Sequence, residues 1–364
     1  MKKSLIFSAA LLACAFGFQS CDKVSTEDNP TMDPVEYDAK TLSLAEFAEK
    51  YGAEGVLVVP EGVTTLNVTE NIDLSTIKIE NAAPLTLAAA KNVEITVSEA
   101  VALNNVTITG DEKAPAKIVA KAGFTTSSSL AFKNVKIEAA EATAPLVQMD
   151  ALPAEGLNEA GAFEVEAITF DGVTVNGLNN QLIYGNKQKY LIKNLDIINS
   201  TINIAGAVKK TVIDFNGGGM PLNVNIKNST IAADEATQWQ NGGFFSTQSG
   251  AKLTDVTTDA DAKHIFTIEN SKLTNIAKAK TLCTLRQNNQ AWQFYVVKDN
   301  EIANCGKSGQ FLKGLVAGQN VNKKENWTAS GNKVTFDGAD VGADENKNSG
   351  LEGACIVPET PAAE

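Results

Sequence analysis

In 364 residues there is one histidine, His264, and one arginine, Arg286. A base beside a cation is the minimum needed to remove a proton α to a carboxylate and hold the enolate charge. Their separation is shorter than the repeat around them, so stacking of repeats does not bring them together: one repeat after His264 stands Gln293, not Arg286. A surface histidine and a structural arginine are the competing readings. The pair is the chain's catalytic candidate, and no catalytic residue is assigned from it. Cys283 and Cys305 are out of phase with the repeat by the same amount. They read as buried small apolar side chains, with a disulfide or a metal site as alternatives, and a reactive thiol would lack a histidine partner. Two acidic stretches, with Asp255, Asp259 and Asp261 in one and Asp337, Asp340, Asp344 and Glu345 in the other, do not have EF-hand spacing. They read as solvated turns, with a calcium site as the alternative. The stretch "ADEATQWQNGGFF" sets Trp239 among Gln238, Gln240 and Asn241. An exposed indole with amides around it could stack on and hydrogen-bond a sugar, so these four are the expected ligand contacts. The rival reading is a tryptophan that pins its own loop. No cofactor and no metal are expected.

The elements that would position such residues come from a phrase that recurs. Eight segments share apolar residues at −4 and −2, Asn, Asp or Gly at a central position, and usually an apolar residue at +3. The central residues are Asn105, Asn134, Gly172, Asn199, Asn228, Asn270, Asp299 and Gly331. Most of the intervals between them are nearly equal; those from Asn134 to Gly172 and from Asn228 to Asn270 are longer. Alternation says strand, with one face buried. The central residue types are those that tolerate a left-handed backbone. The chain therefore runs strand, sharp bend, strand. A period of about 30 residues, with no amphipathic helix in the unit, predicts a β-solenoid. The bend side chains Asn105, Asn134, Asn199, Asn228, Asn270 and Asp299 are expected to face inward and bond backbone groups of the next coil as a structural ladder. The two long gaps hold the most loop-like stretches, 139–161 and 232–250.

The start is different in kind. "MKKSLIFSAALLACAFGFQSC" has two lysines, a short apolar run and Ser20 before Cys21, so 1–20 reads as an export signal. The end of that stretch resembles a bacterial lipobox, which implies lipid attachment at Cys21. Residues 21–41 are polar, with prolines, and read as a flexible tether. Removing residues 1–20 leaves 29 basic against 43 acidic residues, a net charge of −14. Nucleic acid and polyanions are therefore poor partners. "SLAEFAEKYG" has a capping box, Ser43 with Glu46, before an apolar stripe, and predicts a short helix that lids the first coil. Residues 42–340 are expected to form the solenoid and 341–364 a tail.

The capped start, "VLVVPEG" and the phrase of "FTIENSKL" resemble right-handed parallel β-helix proteins of the pectate-lyase-like superfamily, and more closely Bacteroidetes lipoproteins of that architecture. The resemblance implies an all-β, right-handed parallel β-helix with a short N-terminal capping helix. The catalytic signatures of the polygalacturonase-type hydrolases, the pectate lyases and the pectin methylesterases have no counterpart here; a lyase of the chondroitinase type stays open. The expected function is a lipid-anchored envelope protein, in the outer membrane and on the surface or periplasmic side, that binds a glycan or acts in adhesion without catalysis. The alternatives are a polysaccharide lyase and a structural scaffold for another surface protein. Membrane contact is expected through the lipid only.

Overall fold

In the computed structural model the described residues are 42–208, 210–216, 218–239, 243–247, 252–278, 283–284, 293–306, 312–313 and 327–340. Cys21, the expected tether at 21–41, Gln240, Asn241, Arg286, Cys355 and the expected tail at 341–364 lie outside them. Every described residue belongs to one compact unit, within Asp38–Glu364.

That unit is a right-handed parallel β-helix, the hand that parallel crossovers almost always take. Ten strands form a first sheet, eleven a second and eight a third. One coil shows the order: Phe124–Thr126 in the third sheet, Leu130–Lys133 in the first, Val135–Glu138 in the second. Strand residues alternate between core and surface. In the first sheet Ile108, Phe132, Phe170, Ile197, Ile226, Ile268 and Val297 face one another in register through seven coils, all at 0% exposure. Phe132 stacks on Phe170 at 5.3 Å and 23°. Such a column buries apolar area without any one coil needing a core of its own.

The first coil is lidded by a helix at Leu44–Tyr51 with its capping box, Ser43 with Glu46, in place. Leu44 and Phe47 on that helix are fully buried. At the other end, Lys333–Phe336 turns back as an antiparallel pair with Ala339–Asp340.

The bend residues Asn134, Gly172, Asn199, Asn228, Asn270, Asp299 and Gly331 all have φ between 48° and 66° and join the first sheet to the second. Two expectations need correction. Asn105 has the left-handed backbone (φ 54°) but sits at another corner. Val106–Thr109 pairs with Leu130–Lys133, so Gly110, not Asn105, stands opposite Asn134. The early coils are shorter: Val106 pairs with Leu130 there, whereas Leu195 pairs with Val224 further on. Both corners of a short coil are flanked by alternating strands, so the phrase matched the wrong one.

The second correction is the direction of the bend side chains. Asn199, Asn228, Asn270 and Asp299 are exposed, while the next residues, Ser200, Ser229, Ser271 and Asn300, are buried. A left-handed residue between two strands lets −2 and +1 both point inward and turns the central side chain out. The inward ladder is therefore one residue later. Ser229 Oγ accepts the Ser200 N–H at 3.1 Å and donates to Lys227 O at 2.8 Å. Ser271 Oγ accepts the Ser229 N–H at 3.1 Å, and Asn300 Oδ1 accepts the Ser271 N–H at 2.9 Å. Asn300 Nδ2 donates to Ile268 O, and Asn332 Oδ1 accepts the Asn300 N–H. The corner interrupts the sheet bonding and leaves these N–H groups buried, and small polar side chains of the following coil satisfy them.

Parts of the long insertions fold against each other. Ala162, Leu191, Met220, Leu253 and Val256 form an apolar cluster of their own, and Asn158 Nδ2 donates to Val256 O at 2.8 Å.

Candidate functional site

His264 opens the strand His264–Glu269 and is 1% exposed. Its Nδ1 lies 2.7 Å from Pro221 O, which makes Nδ1 the donor, and its ring stacks on Phe245 at 6.0 Å and 10°. Among the described residues Nε2 has no hydrogen-bond partner, and it is buried. Burial pushes the imidazole down to about 4, against a smaller upward pull from Pro221 O. His264 is thus a neutral core side chain. Its register partner on the next coil is Gln293, as the repeat requires.

Trp239 is 8% exposed, which corrects its expected role as a sugar platform. Its strand, Gln238–Trp239, pairs with Ala207–Val208 of the preceding coil, and Nε1 donates to Asn275 O of the next at 3.2 Å. An indole held in this way pins the connection onto the stack and offers no open face. Gln238 beside it is exposed.

Cys305 is a free thiol at 2% exposure. Burial is the leading cause that pushes it up to about 12, so it is inert as a nucleophile. Asp255 Oδ2 accepts the Lys252 N–H within a short turn, Asp259 accepts the Asp261 N–H, and Asp337 pairs with Lys278 at 3.0 Å. Among the described residues, no three His, Cys, Asp or Glu side chains converge as a metal cage would require.

Sequence reasoning also missed a buried polar pair on the third sheet. Gln181 Nε2 donates to Asp214 Oδ2 at 3.1 Å, the Asn216 N–H donates to Oδ1 at 2.9 Å, and burial raises the carboxyl above its usual range. Asp214 shares a register column with Tyr184 and Ser246. Nothing local marks Asp214 as buried; its covering comes from other coils.

The open polar site is at the corner where the bend residues face outward. A groove of about 390 Å³ runs over three successive coils, between Asn228, Asn270 and Asp299 on one side and Thr230, Lys272 and Glu301 on the other. Ser229 and Ser271 form its floor. Lys227–Glu269 pairs beside it at 3.5 Å, and Lys272 and Glu301 of the second wall pair with each other at 3.5 Å. They leave the middle of the groove to amides, a hydroxyl and the Asp299 carboxylate.

The groove lies where an outer ladder stops. Asn199 Nδ2 donates to Asp171 Oδ1 at 3.1 Å and Asn228 Nδ2 to Asn199 Oδ1 at 3.3 Å. Among the described residues, no side-chain bond continues the row from Asn228 to Asn270 or from Asn270 to Asp299. The polar atoms of those two side chains are therefore open to a ligand. Both residues were singled out in the sequence, as inward ladder members; the outward turn makes them groove residues.

A family model described as a domain of unknown function (DUF4957) matches residues 89–234. No curated protein and no solved structure matches the chain. The matched span of this β-helix is similar to that domain; it includes Asn228 and Thr230 and ends before Asn270 and Asp299.

Proposed function

We propose that the protein is a lipid-anchored component of the cell envelope, held in the outer membrane through Cys21, that binds a glycan in the corner groove without turning it over. The observation that carries the binding half is the row of outward Asn270 and Asp299 side chains, unbonded to their neighbours, in a groove whose flanking charges are paired off. Amides both donate to and accept from sugar hydroxyls, and a carboxylate accepts from them. The net charge of −14 after residue 20 works against polyanions and leaves neutral sugars as the easier ligands. The burial and neutrality of His264 speak against its use as an accessible base. The anchor half rests on the N-terminal stretch ending in Ser20 and Cys21.

The test of binding is a glycan array with protein lacking residues 1–21, run beside Asn270→Gly. Glycine suits the left-handed backbone there, as Gly172 and Gly331 do in the same column, so the variant removes the amide and keeps the turn. Binding that falls in the variant supports the reading; a signal unchanged by the variant, or none at all, refutes it. For the anchor, Cys21→Ala should move the protein from the membrane to the soluble fraction, and unchanged membrane association would refute lipidation.

A further inference from the structure

Asn199, Asn228 and Asn270 are exposed at their corners, and each is followed by a serine. An exposed Asn–Ser pair is open to a slow reaction with water. The serine backbone nitrogen gives up its proton and attacks the asparagine Cγ. The new N–C bond closes a succinimide ring, the Cγ–Nδ2 bond breaks, and ammonia leaves with the proton. Water then opens the ring at either carbonyl and leaves aspartate or isoaspartate. From the buried row we infer that these three asparagines are latent deamidation sites, each held shut by a small polar side chain of the following coil. The inference does not depend on what the groove binds.

The lock acts on the attacking nitrogen. The Ser200 N–H donates to Ser229 Oγ at 3.1 Å, the Ser229 N–H to Ser271 Oγ at 3.1 Å, and the Ser271 N–H to Asn300 Oδ1 at 2.9 Å. Ser200, Ser229, Ser271 and Asn300 are all buried. The proton of each nitrogen is committed to an acceptor in a dry site, where the amide anion that must form would be unsolvated. The same bond fixes the peptide plane, so the nitrogen cannot swing onto Cγ. The carboxamides differ in their own restraint. Asn199 bonds Asp171 and Asn228 bonds Asn199. Asn270 has no such side-chain bond among the described residues, so it depends on the Ser271 lock.

The locks form a series that ends at the last coil. Asn332 Oδ1 accepts the Asn300 N–H at 3.1 Å and Asn300 Nδ2 at 2.9 Å. Asn332 immediately precedes Lys333–Phe336, the last parallel strand of the second sheet. Stacked repeats open most readily at their ends. Opening there releases Asn300 and then the Ser271 N–H, which makes Asn270 the most reactive of the three. Its conversion would set a carboxylate between Asn228 and Asp299 in the groove.

The experiment is peptide mass mapping after long incubation at pH 8 of the folded protein, the same chain in urea, Asn300→Ala and Ser271→Ala. Each site is compared with its own rate in urea. In the folded protein all three should convert at least about tenfold more slowly, with Asn270 first and Asn199 last. Asn300→Ala strands the Ser271 N–H and should speed Asn270 by about tenfold while Asn199 stays unchanged. Ser271→Ala strands the Ser229 N–H instead and should move the effect to Asn228. Conversion of folded Asn270 as fast as in urea overturns the lock. A rise at all three sites together in either variant makes general unfolding the cause and overturns it too, as does an effect of Ser271→Ala confined to Asn270. Asn199 converting first in the folded protein overturns the opening from the last coil.

Discussion

Between pH 7 and pH 5, acidification should weaken the fold through His264. The folded imidazole is buried, with its pKa pushed down to about 4 from an ordinary 6.5. Between those values the unfolded chain binds a proton that the folded chain excludes. Stability therefore rises with pH across this window and is lost as pH falls from 6.5 towards 4. The full difference between the two values, at about 1.36 kcal/mol per pH unit, is about 3 kcal/mol below pH 4. Between pH 7 and pH 5 the same two values give a loss of about 2 kcal/mol. The comparison is best stopped at pH 5, because carboxylates with lowered pKa values (Glu46, Asp73 and Glu138) add their own losses below it. The control is His264→Gln. A glutamine amide can donate to Pro221 O, and Gln293 occupies the same register position on the next coil. Urea unfolding at pH 7 and pH 5 should show the wild type losing about 2 kcal/mol more than the variant. Equal losses in both proteins would mean that His264 is solvated or paired in the folded state, and the account of its burial would fall.

Three further outcomes follow from the packing. Trp239→Ala should cost about 3–5 kcal/mol of unfolding free energy and leave glycan affinity unchanged, since the indole is buried and bonded to Asn275 O; a loss of affinity at unchanged stability would restore it as a contact. Asn300→Ala should cost about 1–3 kcal/mol by stranding the Ser271 N–H and Ile268 O. Asn270→Gly should stay within about 0.5 kcal/mol, and equal costs at the two sites would show that the buried row is not the stabilising one. Cys305 should resist iodoacetamide at pH 8 until urea unfolds the chain, as peptide mass mapping can check, because its thiol lies at about 12 and is 2% exposed.

Much of the solenoid was legible because it is written redundantly. Seven of the eight bend residues read from the sequence share one corner, and the alternation around them gave the strands. Asn105 misled because a short coil puts two corners within reach of one pattern. The facing of the bend was not legible from the phase jump between −2 and +1, which suits a central residue pointing either way. A signal was nevertheless there. Ser200, Ser229, Ser271 and Asn300 are small polar residues at a phase where the alternation calls for a core side chain, and a buried polar residue implies a partner. Trp239 looked exposed because its neighbours in sequence are polar; what buries it are residues 207–208 and 275 of other coils, which no local window contains.

The corner also divides two tasks between adjacent residues. The inward position must supply an acceptor to a buried N–H, and from Ser200 onward it is held by Ser, Ser, Ser, Asn and Asn. The outward position needs only a backbone at positive φ, and in the same coils it is Asn, Asn, Asn, Asp and Gly. Stability therefore constrains one column and leaves the other free to vary in chemistry among the few residues that tolerate the turn. Where the outward residues bond one another, as Asn228 bonds Asn199, which in turn bonds Asp171 of the preceding strand, the row is closed on itself. Where they do not, at Asn270 and Asp299, the same turn presents open hydrogen-bonding groups on a rigid corner without drawing on the core. On the proposed reading, such a row can change its ligand by exchanging Asn, Asp and Gly while the buried row beneath it keeps the coils in place.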